Sequence, residues 1–198
     1  GPAAREELGL PPDAPVVGIV GRLAPIKNHE LLLGAVARLR GGGAAGATGA
    51  VGAGERVATA DTAGAHETRL RLRETRLLVV GGGAREAELR ELASRLEIDD
   101  AVSWLGWRTD LPQLYAAMDV LALTSRDEGT PVAVIEALAA GTPVVARDVG
   151  GVSTVLEGGA LGRLVGSDDP ADFARALREA LAGVGGDRPG SRSEADAR

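Results

Sequence analysis

An α/β fold built on a doubly wound parallel sheet is the architecture that this sequence predicts. Short apolar runs, rich in β-branched residues, recur along the chain and are bounded by Gly, Asp or Pro. Segments with apolar residues at helical spacing separate these runs. Continuous apolar strands that alternate with helices are typical of a parallel sheet covered by helices on both faces. Such sheets bind their ligands at the carboxyl ends of the strands.

The individual elements follow from the same patterns. Asn28 and Asp110 each stand at the start of a helical pattern and are expected to cap it. The alternation as a whole predicts one Rossmann-like domain over residues 15–182. The predicted strands are 16–20, 77–80, 102–105, 120–124 and 143–146. The predicted helices are 28–40, 84–96, 110–118, 131–140 and 170–182.

Three segments stand outside this alternation. Residues 1–14 are interpreted as the end of a helix or as a linker that enters the first strand. Residues 41–67 are mostly Gly and Ala, which cost much entropy to order and offer little to bury, so this segment is predicted to be a flexible insertion. The tail, residues 183–198, has Gly, Ser and charge without periodicity and is predicted to be disordered.

Composition excludes several classes of protein. The net charge of −6 and the pI near 5.1 argue against a protein that binds the phosphate backbone of nucleic acid. The chain has no cysteine, so disulfides and thiolate metal sites are excluded, and the two histidines, His29 and His66, lie far apart in the sequence. No apolar run is long enough to cross a bilayer. A cytoplasmic location is expected.

The most informative stretch joins the fourth predicted strand to the helix after it. Glu128 and Glu136 lie there with seven residues between them, and a Gly-Thr-Pro turn follows Glu128 directly. A helix that begins after this turn would aim free backbone N–H groups and the positive end of its dipole at the first carboxylate. That arrangement suits a sugar beside a phosphate. The competing interpretations are that Glu128 caps the helix and that Glu136 is a solvated surface charge.

Two cations follow the first predicted strand. Arg22 can bind phosphate oxygens through its planar guanidinium group, and Lys27 can do so as a mobile point charge. Together they can neutralise a diphosphate. Taken alone, both residues are also compatible with solvated charges in a surface loop, but the Glu128 turn, predicted at the same edge of the sheet, favours the diphosphate.

These motifs carry a family resemblance. Over about residues 8–182, apart from the insertion, the chain resembles the nucleotide-sugar-binding half of the retaining glycosyltransferases of family 4, enzymes with the two-domain GT-B fold. The paired glutamates and their Ala-Gly-Thr-Pro-Val-Val continuation are the most specific part of the match. The matching segments in chain order are 21–23 with Lys27, 77–83, 102–106, 128–131, 136–146 and 148–151.

The resemblance implies roles for the matching residues. Arg22 and Lys27 correspond to the pair that holds the donor diphosphate and stabilises the departing nucleotide. Glu128 corresponds to the acid on the donor-sugar hydroxyls, and these three are the implied catalytic residues. Glu136 corresponds to the acid on the ribose hydroxyls.

The other implied donor-binding residues act mainly through their backbone. The N–H groups of Thr130, Val132 and Ala133 correspond to those around sugar and phosphate, whereas Pro131 can donate none. Trp107 and Arg108 correspond to the segment that borders the nucleobase, although Trp107 is equally compatible with a core or loop anchor. The implied donor-binding set is completed by Gly21 and Gly129.

The resemblance also implies an activity. Enzymes of this family react in the cleft between two domains, and this chain matches the second, so residues 1–14 become the linker from a missing N-terminal acceptor domain. The implied reaction transfers a sugar, as in hexosyltransferases, from UDP or GDP to an unidentified acceptor. Fixed cations take the place of a metal, and no cofactor is required. The chain alone is expected to be an inactive monomer, and the missing domain could attach the enzyme to the membrane periphery.

Two other functions remain open at this point. The same two-domain scaffold also occurs in nucleotide-sugar epimerases, which would release a free sugar epimer without any acceptor. A non-catalytic nucleotide-sugar sensor or a degenerate partner subunit is the alternative that is not an enzyme.

Overall fold

The computed structural model of the protein describes residues 1–41 and 62–183. Most of the predicted flexible insertion, residues 42–61, and most of the predicted disordered tail, residues 184–198, therefore lie outside the described residues.

The described residues form one six-stranded sheet in which every pairing is parallel. The strand order is β3-β2-β1-β4-β5-β6, so the chain adds strands first on one side of β1 and then on its other side. This order confirms the doubly wound, Rossmann-like α/β fold, and it places the carboxyl ends of β1 and β4 side by side. The strands are β1 (Val16–Val20), β2 (Arg76–Val80), β3 (Val102–Gly106), β4 (Val120–Leu123), β5 (Val144–Arg147) and β6 (Arg163–Val165).

Helices connect the strands. Among the described residues, no helix is both long and apolar enough to span a bilayer. The helices are α1 (Pro2–Glu7), α2 (His29–Arg40), α3 (Thr62–Arg73), α4 (Glu86–Arg95), α5 (Leu111–Ala117), α6 (Val132–Ala139), α7 (Val152–Val155) and α8 (Pro170–Gly183).

The sheet carries a separate apolar core on each face. Alternate residues of one strand divide between the two cores: Val17 and Ile19 of β1 join one cluster, whereas Val16 joins the other. The first cluster packs against α2, α4 and α8, and the second against α5, α6 and α7. Burial on both faces explains why the strands are apolar without interruption.

Several features differ from the sequence predictions, including the helix α7, which was not predicted. Strand β6 was not predicted. Residues 62–67 of the predicted flexible insertion begin the helix α3. Residues 1–14 carry α1, as the helix alternative expected, but α1 packs against α5, so this segment is folded onto the domain, and its role as a linker to a preceding domain stays a prediction. Asn28 and Asp110 occupy N-cap positions, but neither side chain caps its helix.

Candidate functional site

The loop after β1 is held by close backbone contact with the glycines after β2. Gly81 has a φ of +128°, and a Cβ on it would lie 2.0 Å from the carbonyl oxygen of Gly21. A Cβ on Gly83 would lie 2.6 Å from the carbonyl oxygen of Leu23, whose N–H donates to the carbonyl of Gly82 at 3.1 Å. Only glycine allows this approach. The glycines after β2 therefore fix the path of the loop that carries Arg22.

Arg22 and Lys27 both lie at this edge but have different surroundings. The Arg22 side chain is exposed and makes no hydrogen bond or ion pair with any other described residue. The Lys27 side chain passes over Gly21, with its Cε 3.7 Å from where a Cβ would stand. Its Nζ lies 2.5 Å from Oε1 of Glu128. One cation is thus available to an anion, and the other is held beside an acid.

The Lys27–Glu128 pair is braced from both strands. The same Oε1 of Glu128 accepts a hydrogen bond from Oγ of Ser125 at 2.6 Å. Thr124, directly after β4, donates from Oγ1 to the carbonyl oxygen of Lys27 at 2.9 Å. The N–H of Arg126 donates to the carbonyl of Ile26 at 2.8 Å. The loops after β1 and β4 are therefore tied together, as the sequence prediction of a shared site requires.

Two glycines after β5 support the turn that carries Glu128. The N–H of Gly151 donates to the carbonyl oxygen of Glu128 at 2.8 Å. Gly150 has a φ of +51°, and a Cβ on it would lie 2.0 Å from that same oxygen. The turn does not make Glu128 a helix cap, because Pro131 holds the N-cap position of α6 and no side chain caps it. The capping interpretation of Glu128 is therefore wrong.

The backbone donors before α6 differ in part from the expectation. The N–H of Val132 is occupied, since it donates to the carbonyl oxygen of Thr130 at 2.9 Å. The N–H groups of Thr130 and Ala133 make no hydrogen bond to another described residue. Gly129 and Thr130 are exposed. Val132 is thus not one of the free backbone donors, because its N–H forms a hydrogen bond within the tight turn.

Glu136 lies on the second turn of α6 and has a protein partner. Its Oε2 accepts a hydrogen bond from the hydroxyl of Tyr115 at 2.8 Å. Tyr115, on α5, is 2% exposed, and burial together with this hydrogen bond raises the pKa of its phenol far above the usual value. Glu136 is half-buried and forms no ion pair with a described residue. It is therefore not a freely solvated surface charge.

Trp107 and Arg108, the two predicted residues after β3, have different surroundings. Trp107 is 71% exposed, and its Nε1 would lie 2.8 Å from a Cβ on Gly82, so it is a surface side chain above the β2 loop and not a core anchor. The Arg108 side chain is turned to Asp110, with Nε 2.7 Å from Oδ1. Two of the three guanidinium nitrogens of Arg108 are therefore engaged by Asp110 while that pair is formed.

His29 lies beneath the site at the start of α2. It is 3% exposed, and neither ring nitrogen has a hydrogen-bond partner among the described residues. Burial lowers its pKa to about 4, so the ring is neutral at pH 7. No cluster of three or more His, Cys, Asp or Glu side chains suited to a metal occurs in the described part of the chain.

Sequence reasoning missed three residues that hold the site together: Thr124, Ser125 and Tyr115. Ser125 and Thr124 adjoin the predicted turn, and the small hydroxyl residues at a strand end were a usable signal. Tyr115 is the only tyrosine of the chain. A lone tyrosine on the apolar face of a helix needs a partner for its hydroxyl, and that need was also a usable signal.

Comparison with known proteins gives the family of this chain. Residues 14–183 match the family described as "Glycosyl transferases group 1". Two D-inositol 3-phosphate glycosyltransferases are similar in sequence. The one from Nocardia farcinica is 37% identical over 88% of this chain, and the one from Stackebrandtia nassauensis is 39% identical over 88%. The chain spans 34% and 35% of their lengths.

Solved structures with the same fold include two at more than a quarter identity. The Anabaena protein HepE in complex with UDP has a TM-score of 0.69 and 26% identity, over 92% of this chain and 44% of its own. Sucrose-phosphate synthase from Thermosynechococcus elongatus has a TM-score of 0.71 and 28% identity, over 92% of this chain and 40% of its own.

Proposed function

The chain belongs to the group 1 glycosyl transferases, and on that premise we propose that it is the donor-binding domain of a retaining glycosyltransferase of family 4. In this proposal it is the C-terminal half of a GT-B enzyme and holds a nucleoside diphosphate sugar, with UDP favoured over GDP. One observation carries the proposal: exposed Arg22 lies at the same sheet edge as the Lys27–Glu128 pair. The UDP named with the HepE structure supports the choice of nucleotide.

The chemistry of the step suits these residues. The bond between the anomeric carbon and the phosphate oxygen breaks, and its electron pair stays on the departing nucleoside diphosphate. Arg22 and Lys27 offset that negative charge, and the acceptor oxygen bonds to the anomeric carbon and gives its proton to the departing diphosphate. Fixed cations can stabilise such a leaving group without a metal. Glu128 accepts hydrogen bonds from the sugar, and Glu136 accepts them from the ribose.

Lys27 is particularly suited to the role because it can change partners. It is the only lysine in the sequence, beside many arginines. A lysine ammonium is a compact charge on a flexible stem, so it can remain near Glu128 and still turn to a phosphate. When the diphosphate is bound, Lys27 divides its donors between the phosphate and Glu128, so the two anions compete for it.

The acceptor lies outside the proposal for this chain. Because the chain spans only about a third of the length of its relatives, we assign acceptor binding to a second domain. A nucleotide bound to this domain alone stays partly in water, where its charge contacts are screened. We therefore expect weak nucleotide binding and no sugar transfer from the 198-residue chain.

The test is a calorimetric titration of the chain with UDP, GDP and ADP, with and without EDTA. Arg22→Ala and Lys27→Ala should each lower UDP affinity by about tenfold to a hundredfold, the value of a charge-assisted contact. Arg90→Ala is the matched control, because Arg90 is an exposed arginine on α4 paired only with Glu86 and stacked on Trp104. The UDP affinity of the Arg90→Ala variant should equal that of the unchanged chain.

A second readout uses the single lysine. Acetic anhydride should modify Lys27, and bound UDP should slow that modification relative to modification of the terminal amine, as measured by mass spectrometry. A UDP affinity in both alanine variants equal to that of the unchanged chain would contradict the diphosphate site. Binding that disappears with EDTA would contradict the metal-independent part of the proposal alone.

A further inference from the structure

Tyr115 is the one direct protein partner of the Glu136 carboxylate within the described residues. Its hydroxyl donates to Oε2 at 2.8 Å, across 21 positions of sequence. The other oxygen, Oε1, makes no hydrogen bond to a described residue. The carboxylate is therefore held at one oxygen and available at the other.

The simplest alternative is that Tyr115 is a core residue whose hydroxyl needs any acceptor. A buried tyrosine hydroxyl does need one. The acceptor here, however, belongs to an acid on the neighbouring helix and not to a backbone carbonyl. Because burial and the bond to Glu136 raise the pKa of Tyr115, the phenol keeps its proton and remains a donor throughout the neutral range.

The tyrosine is itself fixed in place. Its carbonyl oxygen accepts a hydrogen bond from Oγ1 of Thr142 at 2.9 Å. The N–H of Thr142 donates to the carbonyl of Ala137 at 2.8 Å, one residue beyond Glu136. Thr142 thus joins the end of α5 to α6. The distance between the tyrosine ring and the glutamate is set by backbone that does not depend on the Tyr115–Glu136 bond.

A glutamate side chain that is already fixed loses less conformational freedom when a ligand arrives. The bond to Oε2 also restricts the rotation of the carboxylate, and with it the directions in which Oε1 can accept from a hydroxyl. We propose that Tyr115 is a positioning residue that presents Glu136 Oε1 to the ribose hydroxyls and thereby makes this domain selective for ribonucleotides. This inference rests on the proposed function, which assigns the ribose to Glu136.

The test compares UDP with 2′,3′-dideoxyuridine diphosphate, which lacks both ribose hydroxyls. We expect the unchanged chain to bind UDP more tightly than the dideoxy compound. Tyr115→Phe should lower UDP affinity by about two- to tenfold, the range for one hydrogen bond, and leave the affinity for the dideoxy compound unchanged. In a Glu136→Ala background, Tyr115→Phe should have no further effect on the ratio of the two affinities.

Two further variants separate positioning from a structural role. Thr75→Val removes the buried hydrogen bond from the Thr75 hydroxyl to the carbonyl of Leu72, which involves neither Tyr115 nor Glu136, so it should lower the thermal midpoint and leave the affinity ratio unchanged. Glu136→Asp shortens the acid and keeps the tyrosine. It should lower the ratio as Tyr115→Phe does, so the test stands even if the phenylalanine variant does not fold.

The outcomes distinguish this inference from the proposed function. Equal loss of affinity for both compounds in Tyr115→Phe, or no loss for either, would overturn the positioning role while the nucleotide site stands. An unchanged chain that binds both compounds equally would overturn the assignment of Glu136 to the ribose and this inference with it. A chain that does not bind UDP overturns both proposals.

Discussion

Two ion pairs lie at opposite edges of the sheet and differ in how completely the protein surrounds them. At the amino ends of the strands, Arg5 NH2 lies 2.7 Å from Asp119 Oδ2, and the two side chains are 7% and 6% exposed. Arg5 also donates to the carbonyls of Pro12, Ala14 and Ala117. The same Asp119 oxygen accepts from the N–H of Val16 at 2.8 Å. All three side-chain nitrogens of this arginine donate to protein acceptors.

At the carboxyl ends, the Lys27–Glu128 pair is 25% and 10% exposed, and the only described side chain that adds a hydrogen bond to it is Ser125. Lys27 therefore keeps donors that are directed at solvent. The difference between the edges teaches how to separate structural charges from functional ones. A charge with all its hydrogen bonds inside the protein serves stability, whereas one with unused donors beside a second, unpaired cation is available to a ligand.

The largest expected effect is at the amino edge. Asp119→Ala removes the counter-charge of buried Arg5 and the acceptor of Val16, which should lower the free energy of unfolding by about 3–5 kcal/mol. Urea denaturation measures this. UDP affinity of the folded fraction should be unchanged, because the site lies at the other edge of the sheet.

The control for this prediction is Glu91→Ala, which breaks the exposed Arg95–Glu91 pair on α4. Exposed pairs contribute little, so its unfolding curve should overlay that of the unchanged chain. If Asp119→Ala costs no more than the control, the two edges do not differ in the way described, and the amino-edge pair has no special structural role.

The next effect concerns the buried histidine beneath the carboxyl edge. An unfolded histidine takes a proton below its usual pKa of 6.5, whereas folded His29 stays neutral down to about 4. The unfolded state therefore binds more protons between these values. The stability that His29 contributes is complete above pH 6.5 and is lost as the pH falls towards 4, by up to about 3 kcal/mol. Unfolding free energies at pH 7, 5.5 and 4 measure the loss.

His29→Phe isolates this contribution from that of the carboxylates, since phenylalanine has a similar ring but cannot take a proton. The variant should lose less stability than the unchanged chain over the same pH interval, whatever its stability at pH 7. Parallel pH dependence in the two proteins would show that His29 is protonated in the folded state or that water reaches its ring.

Most of the fold was predictable because burial on both faces gives each central strand an uninterrupted apolar run. Strand β6 was not predicted because it has only three residues between glycines and begins with exposed Arg163, so it lacks the apolar run that marks the other strands. A helix in residues 1–14 was one of the two predicted alternatives, but its packing onto the domain was not predicted, because it buries a single arginine that sequence periodicity does not distinguish from a solvated one.

The site was predictable in its positions more than in its contacts. Strand ends bring Arg22, Lys27 and Glu128 to one edge by topology alone, which the sequence pattern reveals. The partner of Glu136 depends on how α5 and α6 are rotated against each other, and no pattern in the sequence states that angle. The hydrogen bond from the Val132 N–H to the carbonyl of Thr130 likewise depends on the local dihedral angles of the turn. The Gly-Thr-Pro sequence restricts these angles but does not determine them.

The smallest expected effect is at Glu128, and it tests the role of the partly exposed Lys27–Glu128 pair. Glu128→Gln removes the negative charge but keeps the size and an acceptor, so the turn and the bond from Ser125 can persist. Lys27 then loses a competing anion, and UDP affinity should be retained or rise. The advantage of UDP-glucose over UDP should fall by about fivefold, because a neutral amide accepts hydrogen bonds from sugar hydroxyls less strongly than a carboxylate does. Calorimetry with both ligands, at two salt concentrations, gives both quantities.

The control is Asp148→Asn, an equal change of charge at an exposed residue after β5, which should leave the ratio unchanged. The contrary result is a Glu128→Gln chain that folds normally, as judged by thermal unfolding, and yet loses binding of plain UDP. That result would show that Glu128 binds the nucleotide, and it would contradict the assignment of this acid to the donor sugar.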